Sequence, residues 1–107
     1  MTQILPKEPR QAVEEMLKLT ENLVELIESE TNAVATNDGT TFAMNEPTKE
    51  AAIASYEAAA NEFHKRLEEF RDVDGGLIAK LTTAQSSLKQ STNNNLKLLE
   101  KLDPENK

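Results

Sequence analysis

The side chains that could do chemistry are few in kind. The 107-residue chain has one histidine, no cysteine, and 19 acidic against 12 basic residues, a formal charge of −7. A metal centre at His64 would need further ligands of suitable type. Glu68, four residues on, is the single candidate nearby, and no Glu-x-x-His pair accompanies it. A histidine that carries a phosphoryl group wants space cleared around the imidazole, as in a His-x-Leu-Lys-Gly pattern. Here the stretch reads His64-Lys65-Arg66-Leu67-Glu68, with an acid where the glycine should stand and a second acid, Glu69, beside it to repel phosphate. His64 therefore reads as a surface residue flanking an apolar stripe. The carboxylates fall by helical spacing on solvated faces, with no pair in an apolar pocket that would raise a pKa for acid–base work. The three glycines form no G-x-x-x-x-G-K loop, and Ser86, Ser87 and Ser91 have no recognisable base motif around them. No catalytic residue, metal or cofactor is expected, and binding is the function left.

Composition narrows the partners. An acidic chain lacks the basic footprint that nucleic acid requires. No apolar run approaches the ~18 residues of a membrane span, and the first ten residues, MTQILPKEPR, lack the parts of a signal peptide. A cytoplasmic protein, not embedded in a membrane, is the expectation. Leu, Ile, Val and Phe make up 24 of the 107 residues, just above the ~20% below which chains tend to be disordered. So thin a core would gain from a partner or a second copy.

The elements that position these side chains are helices. Pro6 and Pro9, Pro47, Gly75-Gly76 and Pro104 punctuate the chain into three long segments in the order helix grammar expects. The first, about 9–34, carries Val13, Leu17, Val24, Ile27 and Val34, with Thr20 and Thr31 completing a 4-3-4-3 spacing. Met16, Leu19, Leu23 and Leu26 widen that stripe to half the circumference, enough for two neighbours. The second, about 47–72, spaces Ile53, Tyr56, Ala60, Phe63, Leu67 and Phe70 at helical intervals. The third, about 77–102, runs Leu77, Leu81, Ala84, Leu88, Ser91, Asn95, Leu98 and Leu102, apolar in its first half and interrupted by Ser91 and Asn95 in its second. The fold expected is all-α: a single domain, 1–107, of three long antiparallel helices in an elongated bundle or a helical hairpin with a third arm, with flexible ends at 1–8 and 103–107.

Between the first two helices lies a long polar connection, 35–46, whose Phe42 and Met44 are costly to leave in water. An extra turn over 41–45 that caps the bundle, running on into the second helix, would cover them; an apolar anchor for a partner is the other reading. The first helix has a charge balance of −4 and the third +3, which favours placing them side by side, though exposed pairs contribute only ~0–1 kcal/mol each.

Several stretches resemble the FlgN-type flagellar export chaperones. Leu19-Thr20-Glu21-Asn22-Leu23-Val24-Glu25-Leu26-Ile27-Glu28 is similar to the family's first helix, and Asn37-Asp38-Gly39 to the break after it. Lys49-Glu50-Ala51-Ala52-Ile53-Ala54-Ser55-Tyr56-Glu57 resembles a Lys-x-x-x-Ile/Leu-x-x-Tyr-Glu stretch. Leu81, Leu88 and Asn93-Asn94-Asn95-Leu96-Lys97-Leu98-Leu99 resemble the last helix. The likeness covers roughly 13–102; Pro47 departs from it, falling where the family often continues a helix. The resemblance implies a cytoplasmic chaperone that binds the amphipathic C-terminal helix of hook–filament junction proteins and prevents their premature assembly, with no nucleotide or metal. The alternative is a homo-oligomeric helical adaptor without a flagellar client, a homodimer in its simplest form.

A groove for such a helix is expected at the third helix, lined by Leu88, Ser91, Asn95, Leu96, Leu99 and Leu102. Polar groups in an otherwise leucine seam weaken self-packing and can fix register with a partner.

Overall fold

The computed structural model describes residues 4–102 and contains three helices, α1 (Pro9–Ala35), α2 (Gly39–Lys65) and α3 (Gly75–Leu102), with a 3-10 turn at Leu67–Phe70 and no strand among the described residues. The fold is all-α, as expected. α1 starts at Pro9 because proline has no N–H to leave unsatisfied and the Glu8 carboxylate takes the next two, accepting from Arg10 N at 3.3 Å and Gln11 N at 2.8 Å. It ends without glycine. Asn37 adopts the left-handed conformation at φ 60°, and Asp38 N and Asn37 N return to the carbonyls of Ala33 and Val34 at 2.7 and 3.1 Å, a Schellman closure.

Asp38 then caps α2, accepting from the Thr41 hydroxyl at 2.6 Å and its backbone N–H at 3.1 Å; these bonds hold the Asp38 carboxyl below its ordinary pKa. The connection is thus three residues long rather than the twelve of 35–46, and α2 begins at Gly39, not Pro47. Pro47 lies inside the helix on its exposed side, giving up one backbone bond. Phe42 and Met44 belong to α2, half-buried and exposed respectively. α2 also stops earlier than 72. After Lys65 the 3-10 turn folds Phe70 back beneath Phe63, their rings stacked with centroids 4.4 Å apart, and Arg66 lies 5.4 Å over the Phe70 ring. α3 starts at Gly75, where Asp74 accepts from the Gly76 N–H.

The helices run up, down and up. Ser29 lies beside Asn45 and Glu30 beside Lys49, whereas Glu28 lies beside Ser91 and Thr31 beside Asn95. α2 is antiparallel to α1, since Ala59 near its end clusters with Ala12 and Val13 near the start of α1, and α3 is parallel to α1. α1 packs against both neighbours, while α2 and α3 barely touch, so a gap between them overlies α1. The molecule measures 49 × 29 × 23 Å. An apolar cluster sits at one end, here called proximal: Leu5, Ala12, Val13, Met16, Ala59, Phe70 and Leu81; Leu23, Ile27, Ala33 and Ala84 are buried beyond it. The N-terminal segment belongs to that cluster. Leu5 is buried, and the Ile4 and Leu5 N–H groups donate to the two carboxylate oxygens of Glu62 at 2.8 and 2.9 Å. Arg66 holds the Pro6 and Lys7 carbonyls, both at 2.8 Å. From Ile4 onward the expected flexible end is packed, because these bonds and the burial of Leu5 offset the entropy of ordering it. Residues 1–3 and 103–107 lie outside the described residues.

Candidate functional site

The distal end, around the α1–α2 turn, is built differently. Glu30 has no solvent exposure at all, although helical spacing was expected to leave every carboxylate solvated. The reason is its place on the stripe: it follows Leu23 by seven residues and Ile27 by three, so it must face inward with them. Its charge is answered from both neighbours. Lys49 Nζ of α2 donates at 2.7 and 2.9 Å to the two carboxylate oxygens, and Asn95 Nδ2 of α3 donates to one of them at 2.9 Å. Asn95 also donates to the Thr31 hydroxyl, which in turn donates to the Ile27 carbonyl, both at 3.0 Å. The Ser91 hydroxyl donates to Glu28 at 3.1 Å, and Asn45 donates to Ser29 at 2.9 Å. Among the described residues no buried side-chain polar atom lacks a partner, which makes a buried charge tolerable in so small a core.

Lys49 is mostly enclosed, its side chain 17% exposed. Burial alone would lower its pKa, but the hydrogen bonds and charge of Glu30, helped by Glu46, outweigh that and raise it above the ordinary 10.5. At the proximal end the Ile4 amide, then that of Leu5, hold the Glu62 carboxyl below its ordinary value.

The expected groove residues divide into two sets. Ser91 and Asn95 are 8% and 7% exposed and turn into α1, so their hydrogen bonds seat α3 rather than facing outward along a seam. Leu88 and Leu99 are half-buried and Leu96 is 53% exposed. At ~100° per residue, Leu88, Leu96 and Leu99 continue the side of α3 that carries Ile78 and Leu81. Ile78 and Leu81 line a groove with Phe63 and Phe70 at the proximal end, and Leu88, Leu96 and Leu99 extend the same side of α3 beyond it. Leu102 ends α3, and its side chain lies outside the described residues.

A second, larger groove runs between α1 and α3, lined by Glu21, Val24, Glu25, Lys80, Ala84 and Ser87. α1 and α3 are neighbours, as their opposite charges favoured, yet no ion pair joins them among the described residues; they meet through Ser91 and Asn95 instead. His64 is exposed. No group of three or more His, Asp or Glu side chains converges as a metal site among the described residues, and none of the described helices is long and apolar enough to cross a membrane. Reading the sequence missed Glu30 and Lys49 as a pair. The signal was available as a lone acid on the apolar stripe of α1, which demands a cation from a neighbouring helix. No protein-family model, curated protein or solved structure matches the chain.

Proposed function

We propose that this protein is a non-enzymatic, helix-binding chaperone of the FlgN type, acting in the cytoplasm on the amphipathic C-terminal helix of hook–filament junction proteins. The observation that carries the reading is the gap between α2 and α3. Both helices pack on α1 and hardly on each other, and α3 presents Leu88, Leu96 and Leu99, none of them fully covered. A client helix laid there would bury its leucine knobs against that strip and act as the fourth member of the bundle, the helix-in-groove mode of recognition. Ser91 and Asn95 contribute by fixing the position of α3 on α1.

The test is the pair Leu96→Asp and Leu99→Asp in one chain, with folding followed by circular dichroism and binding by titration of a client C-terminal helix peptide. Loss of binding by a folded double variant is the expected result, and retained binding overturns this placement. Sedimentation of the wild-type protein separates the adaptor reading. A monomer that takes up one peptide fits the chaperone, whereas a stable homo-oligomer indifferent to peptide assigns the same leucines to self-association.

A further inference from the structure

We propose that Glu30 is the centre of a three-helix clasp, and that the distal half of the bundle opens at this clasp while the proximal half stays folded. The geometry is specific. One carboxylate oxygen of a fully buried glutamate receives both Lys49 from α2 and Asn95 from α3, so two helices that scarcely touch are tied to each other through a single group on the third. The side-chain hydrogen bonds that join one helix to another are all at this end among the described residues. The apolar cluster is at the other end.

Opening has a low cost on the α2 side. The first two turns of α2 expose Gly39, Thr40, Ala43 and Met44 to solvent, and Pro47 has already removed one backbone bond behind them. Few buried contacts with exposed backbone is the profile of a segment that unfolds locally. Opening also hydrates Glu30 and Lys49, offsetting part of what is lost, an option a buried methylene lacks. What the opening uncovers is apolar: Leu23, Ile27 and Ala33 of α1 are buried beneath the distal arms. The strip of Leu88, Leu96 and Leu99 lies on α3, which the clasp ties to α1. The clasp thus regulates access to the groove of the proposed function; only this use, not the opening itself, rests on that reading.

Hydrogen exchange of the full chain without any partner tests the clasp. In the wild-type protein, amides in 29–35, 39–50 and 91–99 are expected to exchange at least about tenfold faster than those in 12–16 and 59–63, the mark of a sub-global opening. Lys49→Ala leaves the carboxylate without its cation and should accelerate the distal set by a further factor on the order of a hundred while moving the proximal set far less. The milder Glu30→Gln keeps the shape and the hydrogen bond to Asn95. It should give a smaller acceleration in the same distal set, and it serves if Lys49→Ala fails to fold. Equal protection of both ends in the wild type, or equal acceleration of both ends in Glu30→Gln, overturns the proposal. Because no client is present, this result is independent of the Leu96/Leu99 titration. A chain that opens distally but still binds peptide through the altered leucines keeps the clasp and loses only the groove.

Discussion

At the proximal end, α1 meets its neighbours through Ala12, Val13 and Met16, which bury themselves against Leu5, Ala59, Phe70 and Leu81. About four turns further along, the same helix meets the same two neighbours through Glu28, Ser29, Glu30 and Thr31. The first contact rests on area removed from water, a force without direction that tolerates small slides of one helix over another. The second rests on a few short bonds that work in one register and fail in any other. A chain with 24 large aliphatic and Phe residues in 107 cannot fill a bundle 49 Å long with apolar side chains alone. It clusters most of them at one end and supplements Ile27 and Ala33 with polar groups at the other. The result is a molecule whose stability is stored at one end and whose register is set at the other.

The largest effect that could break this contrast comes from the apolar end. Phe70→Ala removes a buried ring that stacks on Phe63 and carries Arg66 on its face. It is expected to cost about 3–5 kcal/mol in urea unfolding followed by circular dichroism. Distal hydrogen bonds should not rescue it. A loss below about 1 kcal/mol would mean that the proximal cluster is not the main store of stability.

Asn95→Ala is the intermediate case. It removes the α3 arm of the clasp but leaves the Glu30–Lys49 pair intact. A hydrogen bond to a charged group is worth about 1.5–3 kcal/mol, and the measured global loss should fall at or below that range because the distal end can open and rehydrate the carboxylate. A cost matching that of Phe70→Ala would show the two ends to be one cooperative unit.

The smallest effects are in pH dependence, where the two ends should respond to opposite limbs. The Lys49 pKa is raised above 10.5 in the folded state, so its contribution is fully present below that pH and is lost as pH rises through the folded value. The charged groups facing it are Glu30 from α1 and Glu46 from its own helix, while α3 offers the neutral Asn95. Thermal midpoints should therefore fall more steeply above pH ~10.5 in the wild type than in Lys49→Met. Glu62 is the reverse case. Its folded pKa lies below the ordinary 4.5, so its contribution is present above that pH and is lost as pH falls through the folded value. Acid should therefore loosen the Ile4–Leu5 segment in the wild type more than in Glu62→Gln. Identical slopes in either pair would remove the electrostatic half of the comparison.

How far the residues could be read in advance differs along the chain. α1 was legible from Pro9 and its wide stripe, and α3 was placed to within two residues of its start. The start of α2 was not, because Pro47 mimics a first-turn proline while the true signal, Asp38 followed by Thr41 three residues on, sits in a polar stretch that reads equally as loop. The end of α2 was hidden because Phe70 keeps helical spacing although its ring is recruited by Phe63. Leu5 lay in a segment too short to have a period. On α3 the incomplete burial of Leu96 and Leu99, off the main apolar line, was legible, but the inward turn of Ser91 and Asn95 was not, since their partners are more than sixty residues away.

The order of apolar and polar residues along the chain was enough to determine three helices and an all-α fold, because helical period and amphipathicity are local properties of ten or twenty consecutive residues. Which charge would be buried, and by what it would be answered, was decided only when α2 and α3 came to rest on α1. Glu30 is an ordinary glutamate in the chain and becomes the distal centre of the molecule through Lys49 and Asn95, two side chains that only tertiary packing brings within 3 Å of it.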